Sequence, residues 1–182
     1  MDQTSDKAIM LKVKQGDLQK LGLLFERYNK NLFGFFFRLT RDAQLSEDLV
    51  QGVFERLLKH RETYTGDGSF TSWLFSIARN LHIDHCRKEK RNVEDASEDM
   101  GNYAQEEIPD DPITSRKLIL EQALQQLDED KRDVLIMSRY QGLMYQEIAD
   151  IMGTSESAIK VKMFRTMNEL RTIVQQLSEA HS

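Results

Sequence analysis

The chain has 182 residues, a formal net charge of −5 and a single cysteine, Cys86. One thiol excludes an intramolecular disulfide, and the longest apolar runs, such as residues 32–37, are far shorter than the roughly 20 residues of a membrane-spanning helix. We therefore expect a reduced, cytoplasmic protein that does not span a membrane, with enough chain for two small domains.

Charge is distributed unevenly along the chain. Residues 1–92 carry +4 and residues 114–182 carry −1, whereas residues 93–113 hold eight acidic residues, no basic residue and both prolines. A stand-alone nucleic-acid binder usually has a net basic surface, so the net charge of −5 would argue against nucleic-acid binding. Here, however, the acidic residues are concentrated in the middle of the chain. This pattern predicts two domains, at 1–92 and 114–182, joined by an acidic flexible linker at 93–113.

Apolar residues recur with helical spacing along most of the chain, and no segment alternates with period two between hairpin turns. The fold class is therefore predicted to be all-α, with two small helical domains. The candidate helices lie at about 5–14, 17–41, 46–61, 70–90, 114–127, 129–141, 145–152 and 156–178.

Ser46 is predicted to be the N-cap of the third helix, which has a broad apolar face. Gly52 lies in the middle of this helix, where glycine costs roughly 0.5–1 kcal/mol relative to alanine. A packing or docking contact is the expected reason for its presence.

A glycine-containing loop with Tyr64 leads into the helix at 70–90. From residue 79 to residue 91 this helix carries five basic and two acidic residues. An aromatic loop followed by a basic helix suits unstacked single-stranded bases, because tyrosine stacks on a base while cations follow the backbone. The alternative for Tyr64 is a loop aromatic that folds onto its own domain. The residues spaced to enter the core are Trp73, Ile77, Ala78 and Leu81.

His82 and Cys86 lie four residues apart on the same helix and share a face, but a fourth metal ligand is missing. The sequence therefore predicts no metal site, and the alternative for this pair is a surface near the DNA backbone. A Gly-rich phosphate loop, paired carboxylates and a nucleophile motif are also absent from the sequence. We accordingly expect no enzymatic activity and no cofactor.

The linker would span about 25 Å on average as a random coil, so it would tether two domains without fixing their separation. Two roles for its acidic residues stay open. They could mimic nucleic acid or cover basic faces, or the segment could be a solvated spacer.

Residues 145–171 have the pattern of a helix-turn-helix. Gly153 follows an apolar-periodic segment and is predicted to end the first helix in a left-handed conformation, while Thr154 and Ser155 offer hydroxyls to the next helix. The second helix places apolar residues on one face and a mixed basic and apolar set, including Phe164, on the other. DNA is the partner that this face favours, and the alternative is a solvated basic face of an ordinary bundle helix. The core face consists of Ile159, Met163, Met167, Leu170 and Val174.

Three segments in this order resemble the bacterial sigma factors of the extracytoplasmic-function (ECF) class. Residues 48–58 resemble the region 2.2 helix, which in that family docks on the coiled coil of the polymerase β′ subunit. Residues 70–87 resemble regions 2.3 and 2.4, which melt and read the minus-10 element, and residues 127–171 resemble region 4, which binds the minus-35 duplex. Two departures are Gly52, where the family usually has an acidic residue, and Val161-Lys162, where Ser and Arg are common.

The resemblance implies three sets of contact residues. The set for minus-35 DNA is Ser157, Lys160, Val161, Lys162, Phe164 and Arg165. The set for minus-10 DNA is Tyr64, Arg79, Asn80, Arg87 and Lys88. The set for polymerase is Asp48, Gln51, Phe54 and Glu55.

The implied function is promoter-specific initiation by an ECF-type sigma factor. Its partners would be core RNA polymerase (the β′ and β subunits), promoter DNA and an anti-sigma factor, with no small-molecule substrate. The alternative is a conventional helix-turn-helix regulator that binds duplex operator DNA without polymerase.

Overall fold

A computed structural model describes residues 5–95 and 112–180 of the chain, and the regular elements in these two ranges are all helices. The predicted all-α class is therefore confirmed for the described residues. The α-helices are α1 (Asp6–Lys14), α2 (Leu21–Thr40), α3 (Ala43–Lys59), α4 (Phe70–Asp95), α5 (Pro112–Gln126), α6 (Glu129–Arg139), α7 (Tyr145–Met152) and α8 (Glu156–Ala180). Within the described ranges, no helix is both long and apolar enough to cross a bilayer.

The start of α3 differs from the sequence prediction. Asp42 is the N-cap, because its side chain accepts a hydrogen bond from the backbone N–H of Leu45 at 3.0 Å. Ser46 is fully buried, and its hydroxyl donates to the backbone oxygen of Asp42. The prediction of Ser46 as the cap was therefore wrong, because Asp42, which is also a preferred capping residue, lies four residues earlier and makes the capping hydrogen bond.

The N-terminal half is a bundle of α1 to α4 with an aromatic centre. Phe35 and Phe36 of α2 are completely buried, and the ring of Phe35 meets that of Phe75 edge-on with centroids 5.5 Å apart. Such edge-to-face pairs stabilise a core beyond their buried area. This bundle holds α3 and α4 side by side, so their outward faces are rigidly placed.

In the C-terminal half, α5 and α6 pack against α8. A small apolar cluster joins them, formed by Ala123, Leu124, Leu127, Leu135, Leu170 and Ile173. The helix α7 packs across α8 as the first helix of the helix-turn-helix.

The two halves also pack directly on each other: α4 contacts α7, and α2 contacts α6. Buried residues of both halves, including Phe75, Ile136 and Ile148, belong to one continuous apolar core. The expectation that only a tether connects the halves is therefore wrong for this structure. Helix α4 extends to Asp95 and α5 begins at Pro112, so both ends of the predicted linker are helical, and its central residues, 96–111, lie outside the described residues.

Candidate nucleic-acid interface

The helix-turn-helix forms as its local sequence predicts. Gly153 ends α7 with φ at 64°, a left-handed conformation that glycine adopts without a steric penalty. The hydroxyl of Ser155 accepts a hydrogen bond from the backbone N–H of Ala158 at 3.1 Å, which caps the start of α8. A turn of three residues therefore sets α8 firmly against α7.

The outward face of α8 combines cations with exposed apolar surface. Phe164 has 69% of its surface exposed and Val161 has 50%. Ser157, Lys160 and Arg165 are also exposed, so all of these predicted minus-35 residues share one accessible face. The opposite face buries Ile159, Met163 and Leu170 as predicted, together with Thr166 and Ile173 in place of the half-buried Met167 and Val174.

Tyr64 is only 2% exposed in this structure. Its ring lies 4.8 Å from that of Trp73 and 6.0 Å from that of Phe70, and burial raises the pKa of its hydroxyl. Its carbonyl oxygen accepts a hydrogen bond from Nζ of Lys14 at 2.7 Å. This arrangement matches the alternative of a loop aromatic folded onto its own domain.

The other predicted minus-10 residues lie along α4. Asn80, Arg87 and Lys88 are exposed. Arg79 differs, because its side chain is only 13% exposed and is turned toward the C-terminal half. The structure therefore separates three accessible residues from Tyr64 and Arg79, which are covered.

Arg79 is held by two carboxylates of α6. Its Nε donates to Oδ2 of the fully buried Asp133 at 2.8 Å, and its Nη2 donates to Oδ1 of Asp130 at 2.6 Å. Burial raises the pKa of Asp133 to about 6, although the Arg79 guanidinium opposes this rise. The other carboxylate oxygen of Asp130 lies 3.5 Å from Nζ of Lys162, so one acidic residue contacts both a predicted minus-10 cation and a predicted minus-35 cation.

The predicted polymerase residues occupy the outer side of α3. Asp48, Gln51 and Glu55 are exposed, but Phe54 is 6% exposed and belongs to the core. Its ring packs 5.0 Å from the ring of Phe25, which is itself 42% exposed. Three polar side chains therefore form the accessible surface, and Phe54 supports it from below.

A cluster of side chains that can bind metals lies between the halves, next to Arg79. His82 and Cys86 of α4 and Glu129 of α6 each offer one ligand atom, and these atoms lie within 4.8 Å of one another. His82 is 5% exposed, so its predicted place on a surface near the DNA backbone was wrong. Desolvation lowers the pKa of His82 and raises that of the Cys86 thiol to about 11.

Sequence reasoning missed Glu129, Asp130 and Asp133 as partners of residues on α4. They are about fifty residues from Arg79 along the chain, so local spacing does not reveal the contact. The only available signal was the concentration of acidic residues from 128 to 133.

Comparisons with known proteins identify the family to which each half is similar. The family model for Sigma-70 region 2 matches residues 24–92, and that for Sigma-70, region 4 matches residues 117–170. The chain is 31% identical to RNA polymerase sigma factor CarQ of Myxococcus xanthus over 85% of this chain and 88% of CarQ. It is 32% identical to the ECF RNA polymerase sigma factor SigX of Bacillus subtilis, over 86% of this chain and 84% of SigX.

Two solved structures have a similar fold. The structure of CnrH in complex with the cytosolic domain of CnrY matches with a TM-score of 0.69 and 20% identity, covering 97% of this chain and 99% of that chain. The sigma factor RpoE in complex with the anti-sigma factor NepR, from Bartonella quintana, matches with a TM-score of 0.67 and 23% identity, covering 85% of this chain and 96% of that chain.

Proposed function

This chain belongs to the sigma-70 family of RNA polymerase sigma factors, within its ECF class, and from that membership we propose how its surfaces direct promoter-specific initiation. The N-terminal half, residues 1–92, docks on core polymerase and reads the minus-10 element. The C-terminal half, residues 114–182, reads the minus-35 element. Residues 93–113 connect the two.

The face of α8 carries the proposal for DNA binding, because it leaves a large aromatic ring in water among cations. An α-helix fits the major groove of B-DNA, where Lys and Arg bind phosphates or guanine edges and apolar groups contact thymine methyls. We assign the minus-35 contacts to Ser157, Lys160, Val161, Lys162, Phe164 and Arg165. Lys162 is released for this role when its pairing with Asp130 is exchanged for a phosphate.

The minus-10 contacts are assigned to Tyr64, Arg79, Asn80, Arg87 and Lys88. A base extruded from the duplex costs a few kcal/mol, which stacking and hydrogen bonds offset. Asn80, Arg87 and Lys88 are accessible in the present arrangement, whereas Tyr64 and Arg79 are not. Reading the minus-10 element therefore requires the halves to separate and the Tyr64 loop to rearrange.

Polymerase supplies that separation. Asp48, Gln51 and Glu55 are the proposed contacts to the β′ subunit, supported by Phe54 from the core, and the C-terminal half is held by the β subunit. Neither half has enough basic surface to bind DNA tightly at cellular salt, because affinity there depends steeply on how many phosphates the protein neutralises. The protein thus acts as a DNA-binding initiation factor in the cytoplasm, without catalytic chemistry of its own.

An anti-sigma factor is the proposed regulatory partner. The fold is shared with RpoE, whose structure was solved with the anti-sigma factor NepR. A partner that favours the packed arrangement of the two halves would keep Arg79 covered. It would therefore prevent promoter reading without contacting DNA.

In vitro transcription from a genomic promoter library tests this function. Core polymerase plus the protein is expected to initiate at a defined set of promoters, and Arg165→Ala is expected to reduce that initiation. Arg116→Ala is the matched control, since Arg116 is also an exposed arginine of the C-terminal half but lies on α5 and not on the recognition helix. Specific binding to an operator without polymerase, together with no initiation, would favour the conventional regulator instead.

A further inference from the structure

The cluster of His82, Cys86 and Glu129 has the ligand chemistry of a transition-metal site. It combines an imidazole, a thiol and a carboxylate, a set that suits zinc better than magnesium or calcium. The residues come from two helices in different halves of the protein. A metal ion bound here would therefore cross-link the two halves.

The distance between Cys86 and His82 fits tetrahedral coordination. Sγ of Cys86 lies 3.5 Å from Nε2 of His82. Two ligands bound to zinc at the usual Zn–S and Zn–N lengths and at the tetrahedral angle are about 3.6 Å apart. Oε1 of Glu129 lies 3.8 Å from the other ring nitrogen, Nδ1, and the ligand atoms of the three residues lie within 4.8 Å of one another. The His82 ring and the Glu129 carboxylate must therefore both turn before one nitrogen, Sγ and a carboxylate oxygen meet at one ion.

Two polar atoms in the cluster have no hydrogen-bond partner within the described residues: Nδ1 of His82 and Oε1 of Glu129. The His82 side chain is more than nine-tenths buried, so water does not readily satisfy it. Buried polar groups without partners are uncommon in proteins and often mark a missing ion or ligand. The two atoms face each other at 3.8 Å without a hydrogen bond, so a bound ion would supply the partner that they lack.

We propose that His82, Cys86 and Glu129 bind one zinc ion, with a water in the fourth position, and that this ion fastens α4 to the start of α6. Zinc sites with three protein ligands and one open position are common. Arg79 lies one turn before His82 on α4, and Asp133 lies one turn after Glu129 on α6. The ion and the Arg79–Asp133 pair therefore lie in the same contact between α4 and α6, and both hold the halves together.

Metal binding by these residues is independent of the proposed function, and only its consequence for promoter reading rests on that function. Zinc would favour the packed arrangement, in which Arg79 is covered. Availability of the metal would then set how readily polymerase separates the halves.

Cobalt titration of the full-length protein tests the site directly. Because Cys86 is the only cysteine, a thiolate-to-cobalt charge-transfer band can arise from this site alone. We expect a band that saturates at one Co²⁺ per chain, disappears when Zn²⁺ is added and is absent from Cys86→Ser. Glu129→Gln should weaken binding by at least about tenfold, since even the loss of an outer-shell partner costs that much.

The matched control is Glu89→Gln, which removes an exposed carboxylate from the neighbourhood of Cys86 without removing a proposed ligand. Its cobalt affinity should equal that of the wild type. Hydrogen exchange of the wild-type protein supplies a second readout, which does not depend on whether a variant folds. Adding Zn²⁺ should slow exchange in α4 and α6. Absence of the band at excess Co²⁺, or equal affinities for Glu129→Gln and the wild type, would overturn the proposal, whereas loss of promoter-specific transcription alone would count only against the proposed function.

Discussion

Phe164 shows how much a single residue can reveal about function. Burial of a phenylalanine side chain contributes about 1.5–3 kcal/mol, yet this ring is left 69% exposed on a helix whose other face is well packed. The ring gives nothing to the packing of α8, so a partner surface is its most direct explanation. Lys160 and Arg165 beside it indicate that the partner is DNA.

Phe164→Ala is expected to weaken binding of a minus-35 duplex by about 1.5–3 kcal/mol, because the ring loses its burial against bases and sugars. The free energy of unfolding should change by less than about 0.5 kcal/mol, as is usual for surface substitutions. Fluorescence anisotropy of holoenzyme with labelled duplex measures the DNA affinity, and urea unfolding measures the free energy of unfolding. Leu18→Ala, at another exposed apolar residue in the other half, serves as the control. An unchanged affinity for duplex would remove Phe164 from the proposed contacts.

At the level of helix packing, Gly52 explains how α3 and α4 approach each other. A Cβ atom at position 52 would lie 2.9 Å from Cδ2 of Leu81, closer than side-chain carbons approach. Glycine here therefore admits Leu81 of α4 into the groove of α3. The family's usual acidic residue would have to displace Leu81, which gives the departure at Gly52 a packing reason.

A double-mutant cycle checks this reason. In the wild-type background the usual gain of about 0.5–1 kcal/mol for Gly→Ala in a helix should be offset by displacement of Leu81, whereas in the Leu81→Ala background the gain should appear in full. Free energies of urea unfolding of the four proteins measure the coupling. Gly34→Ala in α2, where the nearest atom to a Cβ belongs to Arg38, should show no coupling to Leu81→Ala. Additive effects of Gly52→Ala and Leu81→Ala would show that the two residues do not compete for space.

For the whole molecule, the Arg79–Asp133 pair connects the two halves at a point where the proposed reading of minus-10 DNA needs them apart. Asp133 is fully buried, and burial raises its pKa to about 6 even with Arg79 beside it. The charged carboxylate is therefore tolerated only because the guanidinium compensates for its lost hydration. Further contacts also join the two halves: Arg41 pairs with Glu121 at 2.7 Å, and the Arg38 guanidinium lies over the Tyr140 ring at 4.1 Å.

Arg79→Gln should leave Asp133 as an uncompensated buried charge, which typically costs about 3–5 kcal/mol, so we expect the halves to open. Small-angle scattering of the free protein should show a larger radius of gyration, and adding Asp133→Asn should restore the wild-type value. Arg56→Gln, which breaks the exposed pair of Arg56 with Asp84 inside the N-terminal half, should leave the radius unchanged.

The pH dependence of the Arg79→Gln variant follows from the same carboxyl group. The pKa of Asp133 is raised in the packed form above its ordinary value, so the packed form binds the proton more readily than the open form. In the variant the Arg79 guanidinium no longer opposes this rise, so the pKa of Asp133 in the packed form lies above its wild-type value of about 6. Packing is therefore weakest above this raised pKa and should recover as pH falls through it toward the ordinary Asp pKa near 4. A radius that stays large at pH 5, or grows as pH falls, would contradict this explanation.

Helices and their exposed faces could be predicted well from local sequence. The bounds of α7, the left-handed Gly153 and the accessible face around Phe164 agree with the predictions. Helical periodicity and capping depend on residues three or four positions apart, so the relevant interactions are written within a single turn. The cap of α3 was missed because the sequence offers two residues that cap helices well, Asp42 and Ser46, and only Asp42 makes the capping hydrogen bond, whereas Ser46 is buried.

The sequence by itself therefore predicts the all-α class, the helix-turn-helix and the family, whereas the packing of the two halves is seen only in the tertiary structure. It covers Arg79 and brings Glu129 to His82 and Cys86. These contacts join residues about fifty positions apart, and their free energy depends on burial and charge compensation across an interface. Local patterns do not contain these long-range contributions, so the accessible face of α8 could be predicted from the sequence and the covering of Arg79 could not.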